Sequence, residues 1–152
     1  MSKAVPPRLS VERKDRSMPD KHREVSMSEF MRISGLHLEE VSGSRVRGSI
    51  EFGDHHHTPW GVVHGGVYSA AVESAASIGA SAAVEERGQV AVGVSNNTDF
   101  LRPMKEGRVD VVAEPIIQGQ IQQLWHVIIT RSADGKEVAR GQVRLQNIPM
   151  PS

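Results

Sequence analysis

One long run of small residues, Gly65 to Glu86, stands alone among segments that alternate like strands. Ala70, Ala71, Ala75, Ala76, Gly79, Ala80, Ala82 and Ala83 give it good helix propensity with almost no side-chain bulk. The stretch Gly61–Val84 contains His64 and Glu73 and lacks the Leu and Ile density of a bilayer span, so it predicts a buried helix and not a membrane crossing. So slim a helix lets strands approach it closely. A sheet can therefore wrap around it.

The strands are legible from their period of two. In Arg45–Phe52, Val46, Gly48, Ile50 and Phe52 share one face, with Arg45, Arg47, Ser49 and Glu51 on the other. In Lys136–Asn147, Ala139, Gly141, Val143 and Leu145 oppose Arg140, Gln142, Arg144 and Gln146 in the same way. Further strands are expected over residues 36–41, 89–101, 108–117 and 121–131. Ala133-Asp134-Gly135 marks a hairpin turn, and Gln118-Gly119-Gln120 another. A short helix is expected from Ser26 and Ser28 through Ile33, stopped at Gly35. The order (short helix, two strands, long helix, four strands) is not a βαβ alternation. It predicts an α+β fold, an antiparallel meander curled around one central helix.

A chain of 152 residues suits one domain, placed at 26–152. Residues 1–25 carry seven Lys or Arg, four Asp or Glu and three prolines with no apolar run, which reads as a disordered basic leader and not an export signal. Basic and acidic residues balance at 18 each, so no global field draws the chain to nucleic acid or to a membrane. The absence of cysteine excludes a disulfide scaffold, a thiol nucleophile and a zinc ribbon, and fits a cytoplasmic protein. Neither a GxGxxG nor a Walker loop is present. His55-His56-His57 does not predict a metal site, because adjacent side chains of an extended loop point in alternating directions.

The chemistry concentrates between Trp60 and Ser77. Gly65 and Gly66 sit where a loop becomes a helix, and the free N–H groups there can hold an anion or a developing oxyanion. Glycines required by a tight turn or by close packing are the alternative. Glu73 is flanked by Val72, Ser74, Ala75 and Ala76, in the least polar helix of the chain. A carboxylate on a buried face must be paired or hydrogen-bonded, which is also how a catalytic base is prepared; a narrow solvent stripe along the helix is the alternative. Ser77 lies one turn further on the same face and can orient the carboxylate; a serine bonding back to its own helix is the alternative. Eight residues separate Gly65 from Glu73, a rise of roughly 12 Å along one helix. If both groups serve one carbonyl, they come from different subunits.

These residues, with Gly93, Ser95-Asn96 and Phe100-Leu-Arg-Pro-Met-Lys-Glu-Gly107, resemble the hotdog-fold acyl-CoA thioesterases. The likeness spans about residues 36–147. It is nearest to the branch holding the phenylacetate-pathway and 4-hydroxybenzoyl-CoA thioesterases, which carries its acid on the central helix. The resemblance implies a curved antiparallel sheet around a long helix, dimers often paired into tetramers, and hydrolysis of a small or medium acyl- or aroyl-CoA without metal or other cofactor. Gly65 then supplies the oxyanion N–H, and Glu73 of the facing subunit acts as nucleophile or general base. Ser77 assists the acid. His64 fixes the turn and is the other candidate base. Arg102 is the implied CoA contact, with the Gly66 N–H beside it; Lys105, like Arg108, is either a solvated cation or a further contact to the CoA phosphates. One position departs from the pattern: Thr58 stands where the family commonly has Asn or Gln, so His57 or a water would have to replace that amide.

Two other readings share the fold. An enoyl-thioester hydratase or dehydratase needs a histidine and an acid placed on one substrate carbon, and no such pair is evident. A non-catalytic acyl-CoA-binding module is motivated by Thr58. In both, the partner molecule is a CoA ester.

Overall fold

The computed structural model describes residues 28–152; the expectation of a leader over residues 1–25 lies outside the described residues. Helix α1 (Glu29–Ser34) is closed at both ends by its own residues. The Ser28 hydroxyl accepts from the Met31 N–H at 3.3 Å, and Gly35 ends the helix at φ +80°. Strands β1 (His37–Val41) and β2 (Val46–Phe52) follow. Next come the long helix α2 (Gly65–Ala82) and strands β3 (Gln89–Phe100), β4 (Gly107–Gln118), β5 (Gln122–Arg131) and β6 (Glu137–Pro149).

All six strands form one antiparallel sheet in the order β1-β2-β4-β5-β6-β3. The sheet covers a single helix, as the small-residue run and the alternation predicted. The meander holds only for β4, β5 and β6. Strand β3 lies beyond β6 at the far edge and not beside β4. Residues 101–106 make this crossing possible. Six linking residues reach up to about 23 Å when extended, whereas three strand spacings amount to about 14 Å.

Helix α2 ends at Ala82, four residues short of the expected Glu86. The Ser81 hydroxyl explains the stop. It contacts both the Ala91 carbonyl (3.3 Å) and the Ala91 N–H (3.1 Å), tying the start of β3 to the last helical turn. The chain must therefore reverse at once. It does so through a short 3₁₀ turn, Glu85–Arg87, closed by Gly88 at φ +67°.

The small residues of α2 allow the contact they predicted. Ala71, Val72, Ala75, Ala76 and Ala80 are buried against the sheet, as are Trp125, Val127, Val143 and Leu145. A Cβ on Gly79 would lie 2.6 Å from the Trp125 ring, and one on Gly141 would lie 2.6 Å from Val72 Cγ1. Both glycines are thus points where helix and sheet meet without an intervening side chain. At the end of α2 a buried polar cluster is fully used. Gln123 donates to the Ala80 carbonyl (2.9 Å) and to Asn147 Oδ1 (2.8 Å), and its own oxygen accepts from the Trp125 indole N–H (2.9 Å).

The two sheet edges differ. Strand β1 has five residues and a register shift between Leu38 and Glu40, whereas β3 offers a twelve-residue edge with Val92, Val94 and Phe100 exposed. Among the described residues no helix is long and apolar enough to cross a membrane.

Alanine normally stabilises a helix relative to glycine. Gly79→Ala is expected to do the reverse, destabilising by about 1–3 kcal/mol because the added methyl overlaps the Trp125 ring. Thermal melting should show Tm lowered by several degrees; a rise in Tm would contradict this packing.

Candidate active site

The first turn of α2 is organised by His64. Its extended backbone (φ −66°, ψ 134°) makes it the N-cap, and its Nδ1 accepts from the Gly66 N–H at 2.8 Å. Because Nδ1 accepts, the neutral ring carries its proton on Nε2. This is the turn-fixing role the sequence offered; as a base, His64 would have to give up its cap. The Val67 N–H returns to the His64 carbonyl at 3.0 Å. The Gly65 N–H carries no hydrogen bond among the described residues. It is a free donor at the positive end of an eighteen-residue helix. Both glycines also answer to packing: a Cβ on Gly65 would sit 2.9 Å from the Phe100 ring, and one on Gly66 2.9 Å from His64 Nδ1.

The loop before α2 is held in place residue by residue. The Val63 N–H bonds the Met104 carbonyl and the His64 N–H bonds the His56 carbonyl, each at 2.8 Å. His56 is buried; its Nδ1 accepts from the Gly53 N–H (3.3 Å), and its Nε2 donates to the Ser34 carbonyl (3.2 Å). His57 donates from Nε2 to the Lys105 carbonyl at 2.6 Å, and His55 stacks on His56 with ring centroids 3.9 Å apart. The three histidines therefore have three different tasks. Among the described residues no three His, Asp or Glu side chains gather to hold a metal ion. Thr58 Oγ1 accepts from the Trp60 N–H at 3.3 Å within a turn closed by Thr58 N–H to the Val62 carbonyl, 2.7 Å. Its hydroxyl is thus engaged locally, as is the ring of His57, the suggested substitute for an amide at this position.

Glu73 lies two turns along α2, half-buried, with both carboxylate oxygens occupied. Oε1 accepts from the Ser77 hydroxyl at 3.2 Å, and Oε2 from the Asn96 side-chain amide at 3.1 Å. Gly93 supplies the space, since a Cβ there would overlap Glu73 Oε1. The carboxylate is consequently pinned against β3, the free edge. Within one chain the structure does not bring Glu73 and the Gly65 N–H together, because α2 is continuous between them.

Of the aromatics Trp60, Tyr68, Phe100 and Trp125, Trp125 and Tyr68 are core residues. The Tyr68 hydroxyl is buried without a partner, and burial pushes its pKa up to about 12. Phe100 is 57% exposed beside Gly65, and Trp60 is 84% exposed. Arg102 donates to the Glu137 carbonyl (2.6 Å) at a surface cleft of about 420 Å³ lined by Leu101, Arg102, Lys136, Glu137 and Arg140. Lys105 is exposed and does not line this cleft. Sequence reasoning missed Lys136 and Arg140, which come from the β5–β6 hairpin. Nothing local in the sequence ties them to Arg102.

With this geometry in hand, comparison with known proteins is decisive. A family model described as the thioesterase superfamily matches residues 61–138. A Mycobacterium tuberculosis protein whose name includes the word esterase is 46% identical over 116 residues, covering 75% of this chain and 82% of that one. The chain belongs to the thioesterase superfamily. The solved structure of that Mycobacterium tuberculosis protein superimposes with a TM-score of 0.78 at 42% identity, covering 82% of this chain and all of that one. A thioesterase from Haemophilus influenzae gives a TM-score of 0.74 at 27% identity over 81% of this chain and 85% of its own. In Listeria monocytogenes, a 1,4-dihydroxy-2-naphthoyl-CoA hydrolase is 32% identical over 96 residues, 63% of this chain and 77% of that one. The wrapped sheet is thus a hotdog fold, and the chain is a thioester hydrolase of this superfamily.

In this thioesterase the loop that delivers His64 depends on a neutral His56. Burial lowers the His56 pKa, helped by its neighbour His55 and opposed by the Ser34 carbonyl. Its contribution to stability is complete above about pH 6.5, the ordinary imidazole value. Below that, the unfolded chain takes up the proton first, and stability falls as pH drops through the lowered folded value. Urea midpoints measured between about pH 7 and pH 5 should fall more steeply for the native protein than for His56→Gln. Equal slopes would show that His56 is not held neutral.

Proposed function

We propose that this thioesterase hydrolyses acyl- or aroyl-CoA thioesters at sites made by two copies of the chain, Gly65 from one and Glu73 from the other. The observation that carries the reading is the separation within one chain: a free helix-terminal donor at Gly65, and a carboxylate two turns along the same helix, fixed against the edge strand β3. Unpaired edges recruit partners. Of the two edges here, β3 is long and carries exposed apolar side chains, which favours pairing of β3 with β3 in a homodimer. That pairing runs the two α2 helices antiparallel and sets Glu73 of the partner subunit toward Gly65. Two such dimers would form the tetramer expected of this family.

In the proposed reaction the thioester carbonyl oxygen accepts from the Gly65 N–H, whose helix dipole stabilises the oxyanion. Glu73 of the partner subunit then acts in one of two ways. It attacks the carbonyl carbon, expelling the CoA thiolate and leaving a mixed anhydride that water cleaves. Alternatively it takes a proton from a water that attacks directly. Either route consumes one water and yields a carboxylic acid and free CoA. The Ser77 hydroxyl steadies the carboxylate in both.

The CoA moiety carries several negative charges, and the cleft of Arg102, Lys136 and Arg140 offers the matching cations. The naphthoyl-CoA hydrolase among the relatives favours an aroyl group at the acyl end. A cytoplasmic setting, where CoA esters circulate, completes the proposal.

Glu73→Gln keeps the size and one of the two accepting oxygens but removes the charge, and should lower CoA release by about 10²–10⁴-fold. Release is read with a thiol reagent across a panel of acyl and aroyl esters, and wild-type rates in the variant would reject the mechanism. Arg102→Ala together with Arg140→Ala should raise KM for CoA esters several-fold. The same variant should leave KM unchanged for N-acetylcysteamine thioesters, which carry no phosphate. An equal rise for both substrates would place the CoA phosphates elsewhere.

A further inference from the structure

We infer that Asn96, oriented by Thr98 and brought to the helix face by a bulge in β3, is the positioning residue for the Glu73 carboxylate. The inference rests on the reading of Glu73 as the reacting carboxylate and adds residues that reading did not contain.

Strand β3 begins with Ala91 buried toward the helix, so a period of two would turn Gly93, Ser95 and Asn97 inward. The register against β6 slips between Gly93 and Ser95. Gly93 pairs with buried Leu145, but Ser95 pairs with exposed Arg144, Asn96 with buried Val143, and Thr98 with buried Gly141. The slip thus exchanges faces, and Asn96 and Thr98 now look at α2 in place of Asn97. Re-aiming side chains beside a functional site is a known use of such bulges.

What Asn96 does there follows from its hydrogen bonds. Its Nδ2 has two protons. One goes to Glu73 Oε2 (3.1 Å), the other to the carbonyl of Ser69 (3.2 Å), one turn earlier in the same helix. Its Oδ1 accepts from the Thr98 hydroxyl at 2.7 Å. The amide cannot be reversed without facing its oxygen to two acceptors. Thr98 sets the amide, the amide grips both the helix backbone and the carboxylate, and Ser77 holds the other oxygen. A glutamate on a helix surface loses three side-chain torsions to such a clamp; the strand supplies it before substrate arrives.

The experiment compares Asn96→Ala, Asn96→Asp and Thr98→Val with Glu73→Gln in the full-length oligomer, with thioester turnover as the readout. If Asn96 positions Glu73, Asn96→Ala lowers kcat by about 10²-fold with KM within about twofold, since misplacement by about 1 Å has that cost. Thr98→Val lowers kcat by a smaller factor in the same direction. Asn96→Asp sets a second carboxylate against Glu73 and moves the acid limb of the kcat/KM–pH profile upward by at least about one unit, which a structural role alone would not do. Wild-type kcat in Asn96→Ala beside an inactive Glu73→Gln would overturn the positioning role and leave Glu73 in place. An active Glu73→Gln would instead overturn both. If Asn96→Ala fails to fold, Thr98→Val and the pH limb of Asn96→Asp decide, and an unmoved limb with unchanged turnover counts against the inference.

Discussion

The structure depends on how closely one helix can approach one sheet. Gly79 lies against the Trp125 ring and Gly141 against Val72, with no side chain between. The alanines of α2 fill the remaining contact without holding the strands away. Two consequences follow. The sheet can wrap the helix on one side, burying a core in which the helix gives mainly alanines and the strands the larger residues. And β3, tied to the end of α2 through Ser81 and Ala91, runs back along the helix close enough for Gly93 and Asn96 to reach Glu73. Catalytic potential here is a product of close packing.

The second constraint is the straightness of the helix itself. A donor at its N-terminus and an acid two turns later cannot serve one carbonyl, because a helix rises about 1.5 Å per residue. The chain holds the acid of α2 against its free sheet edge, where a second copy completes the site in the proposed dimer. One surface then carries both association and chemistry. Substitutions at β3 would disturb the two together, whereas those in the Arg102 cleft would touch substrate binding alone.

Much of this was legible in the sequence, and for definite reasons. The alternation in Val46–Phe52 and Ala139–Leu145 marked the buried faces, apart from Ser49, which is buried on the polar side of β2, and Ala-rich α2 announced a slim central helix. His64 and Gly65 fell at the N-cap and first turn because a cap and its free donors are local matters. Non-local features were hidden. The place of β3 beside β6 depends on the reach of residues 101–106, not on any turn signal. The basic cleft joins the loop after β3 to Lys136 and the start of β6. Asn96 was quoted in the motif but given no role, since the bulge that turns it inward breaks the period by which strands are read. The polar run Ser95-Asn96-Asn97-Thr98 in an otherwise apolar strand was the available signal. A departure from alternation beside a half-buried acid is worth following.

The claim that one carbonyl is served by two chains is tested most directly by subunit complementation. Gly65→Pro removes the N–H while keeping the helix, because proline suits the first helical position and His64 already has the extended backbone that a following proline requires; the exposed Phe100 ring, 2.9 Å from a Cβ at this position, has to turn aside. This variant and Glu73→Gln should each be inactive alone. Co-expressed in equal amounts, they form mixed dimers in which one site of two has both native groups. The account predicts recovery of roughly a quarter of wild-type turnover, from half the dimers with half their sites. No recovery in verified mixed dimers would contradict it.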